Sequence, residues 1–136
     1  MTILYAAHSG WRYIVLLVAA LAIIKLLIGW LMKGQWQKLD QGLGAAFPIV
    51  MDIQLLMGLI LFGASLAGIA GSWRRSLGMR GEHLVIMLLA VIVAHIAWAR
   101  VKKSADDSAK FQIGAIGFLI AGILLTVGVA RITYVI

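Results

Sequence analysis

Residues 80–99 read RGEHLVIMLLAVIVAHIAWA, an apolar run that opens on a charged segment and carries two of the three histidines of the chain. The run is long enough to cross the hydrocarbon core of a bilayer, which takes a helix of about 20 residues. His83 lies at its start and His95 lies twelve residues further along, which corresponds to roughly 18 Å of helix. Because ionisable side chains inside a membrane span mark functional sites, the function depends on what these two imidazoles meet.

The composition indicates an integral membrane protein. Hydrophobic residues make up 63% of the 136 residues and the mean hydropathy is +1.04, whereas a soluble domain is about half apolar. No cysteine is present, which excludes disulfides, thiolate-ligated clusters and covalently attached c-type haem. The net charge is +7, and the basic residues cluster at the ends of the apolar runs. This pattern predicts contact with anionic lipid headgroups rather than with nucleic acid.

Four apolar runs predict membrane-spanning helices, at about 11–32, 47–70, 83–101 and 111–136. The single proline, Pro48, falls in the first turn of the second span, where its missing N–H group is tolerated. The polar connections between the runs are short and leave no room for a second domain. The sequence therefore predicts one all-α domain, an up-down four-helix membrane bundle with both termini on the same side.

We call the side of the two termini side A and the opposite side, which carries the first and third connections, side B. Six basic residues fall at side B and five at side A, namely Lys33, Lys38, Arg100, Lys102, Lys103 and Lys110 against Arg12, Arg74, Arg75, Arg80 and Arg131. By the positive-inside rule this difference predicts side B in the cytoplasm and both termini outside it.

The first candidate site is at side A. His8 precedes the first span and His83 opens the third, Arg12 lies one turn from His8, and Arg80 lies close to His83. Two neutral imidazoles are common axial ligands of a b-type haem, and arginine suits its two carboxylates. The small residues at 63–71 of the second span would let a flat macrocycle approach. The alternatives are ordinary helix packing by small residues, arginines as headgroup anchors and a solvated histidine.

The second candidate site is a polar layer within roughly 10 Å of side B. It contains Lys25, Asp52 and His95, with Gln54 close to Asp52. Because an unpaired charge at that depth is costly, we expect Lys25 and Asp52 to form an ion pair, with His95 hydrogen-bonded nearby. Such a layer fits a proton path or a quinone headgroup site. A purely structural salt bridge and a Lys25 side chain that extends to the interface are the alternatives.

The number of histidines limits the haem content. His83 and His95 are about 120° apart around a helix axis, and a chain with three histidines cannot supply the four axial ligands of two haems. One haem is therefore the most that we predict, and His95 is not its expected ligand. No grouping of serine, histidine and acid and no phosphate-binding motif stands out, so we do not expect the chain to be a catalyst by itself.

The sequence also resembles a family of small four-span bacterial membrane proteins that are catalogued as cytochrome-b-like or left uncharacterised. The resemblance covers nearly the whole chain in order and is carried by HSGWRY at 8–13, IQLLMGL at 53–59, EH at 82–83, MLLA at 87–90, RVKK at 100–103 and DSAK at 107–110. It implies that His8 and His83 are candidate haem ligands with Arg12 beside them. It also implies a location in the inner membrane of a bacterium.

The leading hypothesis is a membrane subunit with one b-type haem between the first and third spans. It would pass electrons between a quinone or another membrane carrier and a partner, as part of a larger respiratory or photosynthetic assembly. One alternative is a cofactor-free accessory subunit that packs in such an assembly through glycine-rich faces. Another is a small proton or ion pathway through Lys25, Asp52 and His95. The expected partners are the lipid bilayer and other membrane subunits or a second copy of the chain.

Overall fold

The computed structural model describes residues 1–69 and 77–133. They form four helices, which are α1 (Thr2–Leu31), α2 (Lys38–Leu66), α3 (Leu77–Lys103) and α4 (Asp107–Thr133). All four are long and apolar enough to cross a membrane, so the chain is a multi-pass membrane protein. The predicted all-α four-helix bundle is confirmed. Arg74 and Arg75, which entered the orientation prediction, lie outside the described residues.

The helices are arranged so that neighbours in sequence are neighbours in space. The principal contacts of α1 are with α2 and α4, and those of α3 are also with α2 and α4. Helices α1 and α3 therefore stand diagonally across the bundle. Side chains of α1 and α3 that point inward meet across the bundle axis, and this relation positions the candidate site.

The outer surface of the bundle is covered by bulky aliphatic side chains. A soluble protein does not leave so many large apolar residues in water, whereas hydrocarbon solvates them well. The exposed aliphatics occur on every helix and include Leu17, Leu21 and Ile24 on α1, Ile49, Leu56 and Ile60 on α2, Leu89, Ile92 and Ile96 on α3, and Ile120, Ile123 and Val127 on α4. This surface is the one that contacts lipid.

The side B half of the bundle is tightly packed by aromatic rings. Phe47 and Phe118 meet edge to face with ring centroids 4.9 Å apart, and Trp36 lies 5.0 Å from Phe111. Both Phe47 and Phe118 are fully buried. These aromatic contacts occupy the side B half of the interior, whereas the cavity described below lies towards side A.

Gly44 of α2 packs directly against the indole of buried Trp98 on α3. We expect Gly44→Ala to lower the free energy of unfolding by about 1–3 kcal/mol, because the added methyl group overlaps the ring. Unfolding in mixed micelles, by heat or by an SDS titration, measures the change. Gly42 is the matched control, since its added methyl group meets no atom and alanine is the better helix former by about 0.5–1 kcal/mol. Equal losses in the two variants would contradict the contact.

Helix α2 begins ten residues before Pro48, so the prediction that this proline sits in the first turn is wrong. An interior proline removes one helical hydrogen bond, and the segment before Pro48 contains two glycines and several polar residues, which are typical of a loop. Tertiary contacts stabilise this segment as a helix. The Asp40 carboxylate accepts the Gln37 backbone N–H at 2.9 Å, which caps the helix start, while Gly44 packs against Trp98.

Candidate functional site

A cavity of about 550 Å³ occupies the side A half of the bundle and is bounded by all four helices. This volume falls in the range of sites for small molecules and cofactors, about 300–1,000 Å³. Most of its wall is apolar, from residues such as Val15, Met51, Leu61, Phe62, Met87 and Leu125. Its polar lining includes His8, Arg12, Gln54, Ser65, Arg80 and His83, together with Thr2, Tyr5, Ser9 and Thr133.

His8 and His83 face each other across this cavity from the two diagonal helices. Their ring centroids are 6.4 Å apart and their ring planes are nearly perpendicular, at 85°. The side A site proposed from the sequence thus has its two imidazoles at the same depth in the interior. Neither ring points towards lipid, since both line the cavity.

The imidazole of His83 is oriented by helix α4. Its Nδ1 lies 2.8 Å from the carbonyl oxygen of Gly128, so Nδ1 carries the proton and donates it to that oxygen. The other nitrogen, Nε2, is then the deprotonated one and is available as a metal ligand. A hydrogen bond of this kind fixes both the tautomer and the direction of a ligating histidine.

The imidazole of His8 is held by helix α2. The side-chain amide of Gln54 donates to the backbone oxygen of His8 at 3.0 Å and lies 3.4 Å from its Nε2. Gly58, one turn further along α2, gives the ring its space, because a Cβ there would lie only 3.0 Å from the ring carbon Cε1. A glycine at this position lets the imidazole approach the helix backbone closely.

Two buried polar atoms at this site have no hydrogen-bond partner among the described residues, namely Nδ1 of His8 and Oε1 of Gln54. Gln54 is only 9% exposed, so water does not readily reach it. Leaving such atoms unsatisfied costs about 1–3 kcal/mol each. The site therefore has hydrogen-bonding capacity that this chain alone does not use.

Both predicted arginines lie at the side A rim of the cavity. Arg12 donates to the hydroxyl of Thr133, at the end of α4, at 3.1 Å, and to the hydroxyl of Tyr13 at 3.1 Å. Arg80 donates to the hydroxyl of Ser65, next to the last residue of α2. Two cationic groups at the mouth of an apolar cavity are suited to anionic groups of a ligand that enters from that side.

The predicted polar layer near side B does not exist as one unit. Lys25 pairs with Asp40 at 2.6 Å, not with Asp52, because the short first connection returns the chain beside Lys25 within fifteen residues. Asp52 instead pairs with His95 at 2.8 Å on the outer surface, where both side chains are 49% exposed. Gln54 belongs to the cavity. Asp52 is also further from side B than predicted, because α2 begins at Lys38.

Helical periodicity could have separated Gln54 from Asp52. The cavity-lining residues of α2 recur at intervals of three and four and comprise Met51, Gln54, Leu55, Gly58, Leu61, Phe62 and Ser65, which is one helix face. Asp52 is off that face. By contrast, no periodic pattern identifies Asp40 as the partner of Lys25, because the segment that contains Asp40 was not predicted to be helical. Of the predicted small-residue wall at 63–71, residues 70–71 lie outside the described residues. Helix α2 ends at Leu66, and the close approach to the His8 ring is made by Gly58, before that wall.

Glu82, which precedes His83 in the sequence, faces helix α4. Its carboxylate forms a two-bond ion pair with Arg131 of α4, at 2.7 and 2.9 Å, and both side chains are about half exposed. Glu82 thus turns away from the cavity and leaves His83 without an acidic neighbour there. Among residues 1–69 and 77–133, no group of three or more His, Asp or Glu side chains converges as a metal site would require.

Comparisons of the chain with protein families, with curated proteins and with solved structures found no match. The resemblance to the cytochrome-b-like four-span proteins therefore stays a prediction.

Proposed function

We propose that the chain is a membrane electron-transfer subunit that holds one b-type haem between α1 and α3, with His8 and His83 as the axial ligands. The observation that carries the proposal is the relation of the two imidazoles, whose centroids are 6.4 Å apart at 85°. A metal–imidazole bond is about 2.0 Å long and the bonded nitrogen is about 1.15 Å from the ring centre, so two axial imidazoles on one iron have centroids roughly 6.3 Å apart.

The donor set also favours haem over a bare metal ion. Two imidazoles satisfy only half of a tetrahedral site and a third of an octahedral one, and no further histidine, aspartate or glutamate converges on them in the described part of the chain. A macrocycle brings four nitrogen ligands of its own and needs only two from the protein. The cavity of about 550 Å³ gives it an apolar enclosure.

The remaining polar groups of the cavity suit the periphery of the same ligand. Arg12 and Arg80 at the side A rim would bind the two propionates. Nδ1 of His83, bonded to the Gly128 carbonyl, would keep Nε2 directed at the iron. Gln54 would hold the backbone next to His8. When bound, haem supplies reversible one-electron oxidation and reduction of its iron, while these residues orient it and exclude water.

We infer that the chain lies in the inner membrane of a bacterium with both termini outside the cytoplasm, as the sequence predicts. The chain would pass electrons between a membrane carrier and a protein partner in a larger respiratory or photosynthetic assembly, and it would not be a catalyst by itself. The accessory-subunit alternative depends on glycine-rich outer faces. Gly29, Gly44 and Gly128 pack against side chains of the same chain, whereas a Cβ at Gly10, Gly42, Gly63 or Gly81 would meet no atom within 4 Å, and these open glycines are the positions that this alternative would use.

The test is spectroscopy of the protein purified from a haem-replete host. We expect a Soret band and an α band that sharpen on reduction, with one haem per chain. Because the imidazole planes are nearly perpendicular, an iron held by His8 and His83 would experience an almost axial ligand field. We therefore expect a ferric low-spin EPR spectrum dominated by a single strongly shifted low-field feature, not the three resolved lines of parallel rings. A folded protein that remains colourless after haem reconstitution would reject the proposal.

A further inference from the structure

The hydrogen-bonded pair of Asp52 and His95 lies on the outer surface of the bundle at membrane depth. Oδ1 of Asp52 and Nε2 of His95 are 2.8 Å apart, and each side chain is 49% exposed. Asp52 is fourteen residues from either end of α2, which is roughly 21 Å along the helix. Polar side chains at such a depth usually face the interior of a bundle, and this pair does not.

The pair has hydrogen-bonding capacity that faces outward. Nε2–H of His95 donates to Oδ1 of Asp52, which leaves Oδ2 of Asp52, an acceptor, and Nδ1 of His95 with no other partner in the described ranges 1–69 and 77–133. Lipid tails offer no donor, and phospholipid headgroups do not reach the middle of the hydrocarbon core. A molecule that carries a hydroxyl group into the hydrocarbon would supply a donor to Oδ2 of Asp52.

We propose that this pair binds the hydroxyl of a membrane hydroquinone. Such a molecule has a phenolic donor on a ring that is otherwise apolar and a long hydrocarbon tail. The surface around the pair is made of exposed branched aliphatic side chains that suit such a tail, namely Ile49, Ile53, Leu56, Ile92 and Ile96. It is less suited to a second copy of the chain, because close helix contacts in membranes favour small residues.

The Asp52–His95 pair lies close to the cavity. A role for the pair in electron transfer rests on the proposed haem function. Met51 and Leu55 flank Asp52 on α2, and Val91 lies one turn from His95 on α3. All three line the cavity. Neighbours one turn apart on a helix are about 5–6 Å apart between Cβ atoms, so only one layer of side chains separates the proposed headgroup from the cavity. The hydroquinone would be the membrane carrier of the proposed function.

The experiment is photolabelling in lipid nanodiscs with an azido-substituted hydroquinone analogue, followed by mass spectrometry of the labelled peptides. We expect labelling at residues 49–56 and 92–96, suppressed by excess unlabelled analogue. Asp52→Asn and His95→Phe should each lower it about tenfold, the factor expected on losing one hydrogen bond to a charged or strongly polar group. Glu82→Gln is the matched control, because the Glu82–Arg131 pair is equally exposed but lies at the membrane end, and its labelling should be unchanged.

Labelling confined to cavity residues such as Leu84 or Leu125, or labelling that the two variants leave intact, would overturn the inference. So would a change in oligomeric state in the variants without competition by the analogue, since that result assigns the pair to a protein contact. The haem spectrum of each sample separates the two proposals. Haem without labelling rejects only the hydroquinone site, and labelling without haem rejects only the haem function.

Discussion

Loss of the entire haem spectrum is the expected result of replacing either His83 or His8 by alanine. The two imidazoles face each other from diagonal helices at 6.4 Å, and no other histidine, cysteine or acidic side chain converges there in the described residues. The remaining histidine would therefore leave the iron with one protein ligand. We expect haem content to fall from one per chain to near zero in His83→Ala, measured by the pyridine haemochrome assay on purified protein. His8→Ala should give the same loss.

His95→Ala is the matched control, because His95 is bonded to Asp52 on the outer surface and lies outside the cavity lining. It should keep the haem content and the EPR line shape of the parent protein. Circular dichroism checks that all three variants retain their helices. Loss of haem in His95→Ala with retention in His83→Ala would contradict the ligand assignment. Retention in every histidine variant would contradict axial ligation by histidine altogether.

The largest expected effect on stability comes from Lys25→Met. Asp40 is fully buried and its carboxylate is 2.6 Å from the Lys25 ammonium, whose side chain is 36% exposed. Removal of the cation leaves an uncompensated buried charge, for which the expected loss is about 3 kcal/mol in the free energy of unfolding. Methionine keeps the length and apolar contacts of the stem, so the loss reports the charge. An SDS or thermal unfolding series in mixed micelles measures it.

Two further variants test that explanation. Glu82→Gln breaks an ion pair that is about half exposed, so it should lower the free energy of unfolding far less than Lys25→Met does. The double variant Lys25→Met with Asp40→Asn should recover much of the loss, because a neutral amide needs no cation. It also keeps an oxygen for the Gln37 N–H. If the double variant is no more stable than Lys25→Met alone, the buried charge is not the cause.

The residues of the side A site could be predicted from the sequence because they lie near helix ends. In an up-down bundle, the start of α1 and the start of α3 must come to the same side, so His8 and His83 share a level whatever the packing angles are. That argument does not place their rings. The distance of 6.4 Å depends on α1 and α3 being diagonal, on Gly58 leaving room for one ring, and on Gly128 orienting the other.

The pairing of the charged residues could not be predicted from the sequence in the same way. The expected Lys25–Asp52 pair rested on matching depths along two helices, and depth says nothing about which way a side chain faces. A shift of two positions along α2 carries a residue from the cavity face, at Gln54, to the outer surface, at Asp52. The true partner of Lys25 was missed because the segment before Pro48 carries loop-forming residues and became helix only through its packing.

By itself, the sequence determined that this protein has four helices that alternate across a bilayer, because a chain with 63% hydrophobic residues can satisfy its backbone in hydrocarbon only as long helices. It also determined which residues share a side. The tertiary structure alone decided which polar atoms meet, because a hydrogen bond requires contact within about 3 Å and hydrophobic patterning constrains position only to a helix face. The tertiary structure brings together three pairs of side chains, namely His8 with His83, Lys25 with Asp40 and Asp52 with His95.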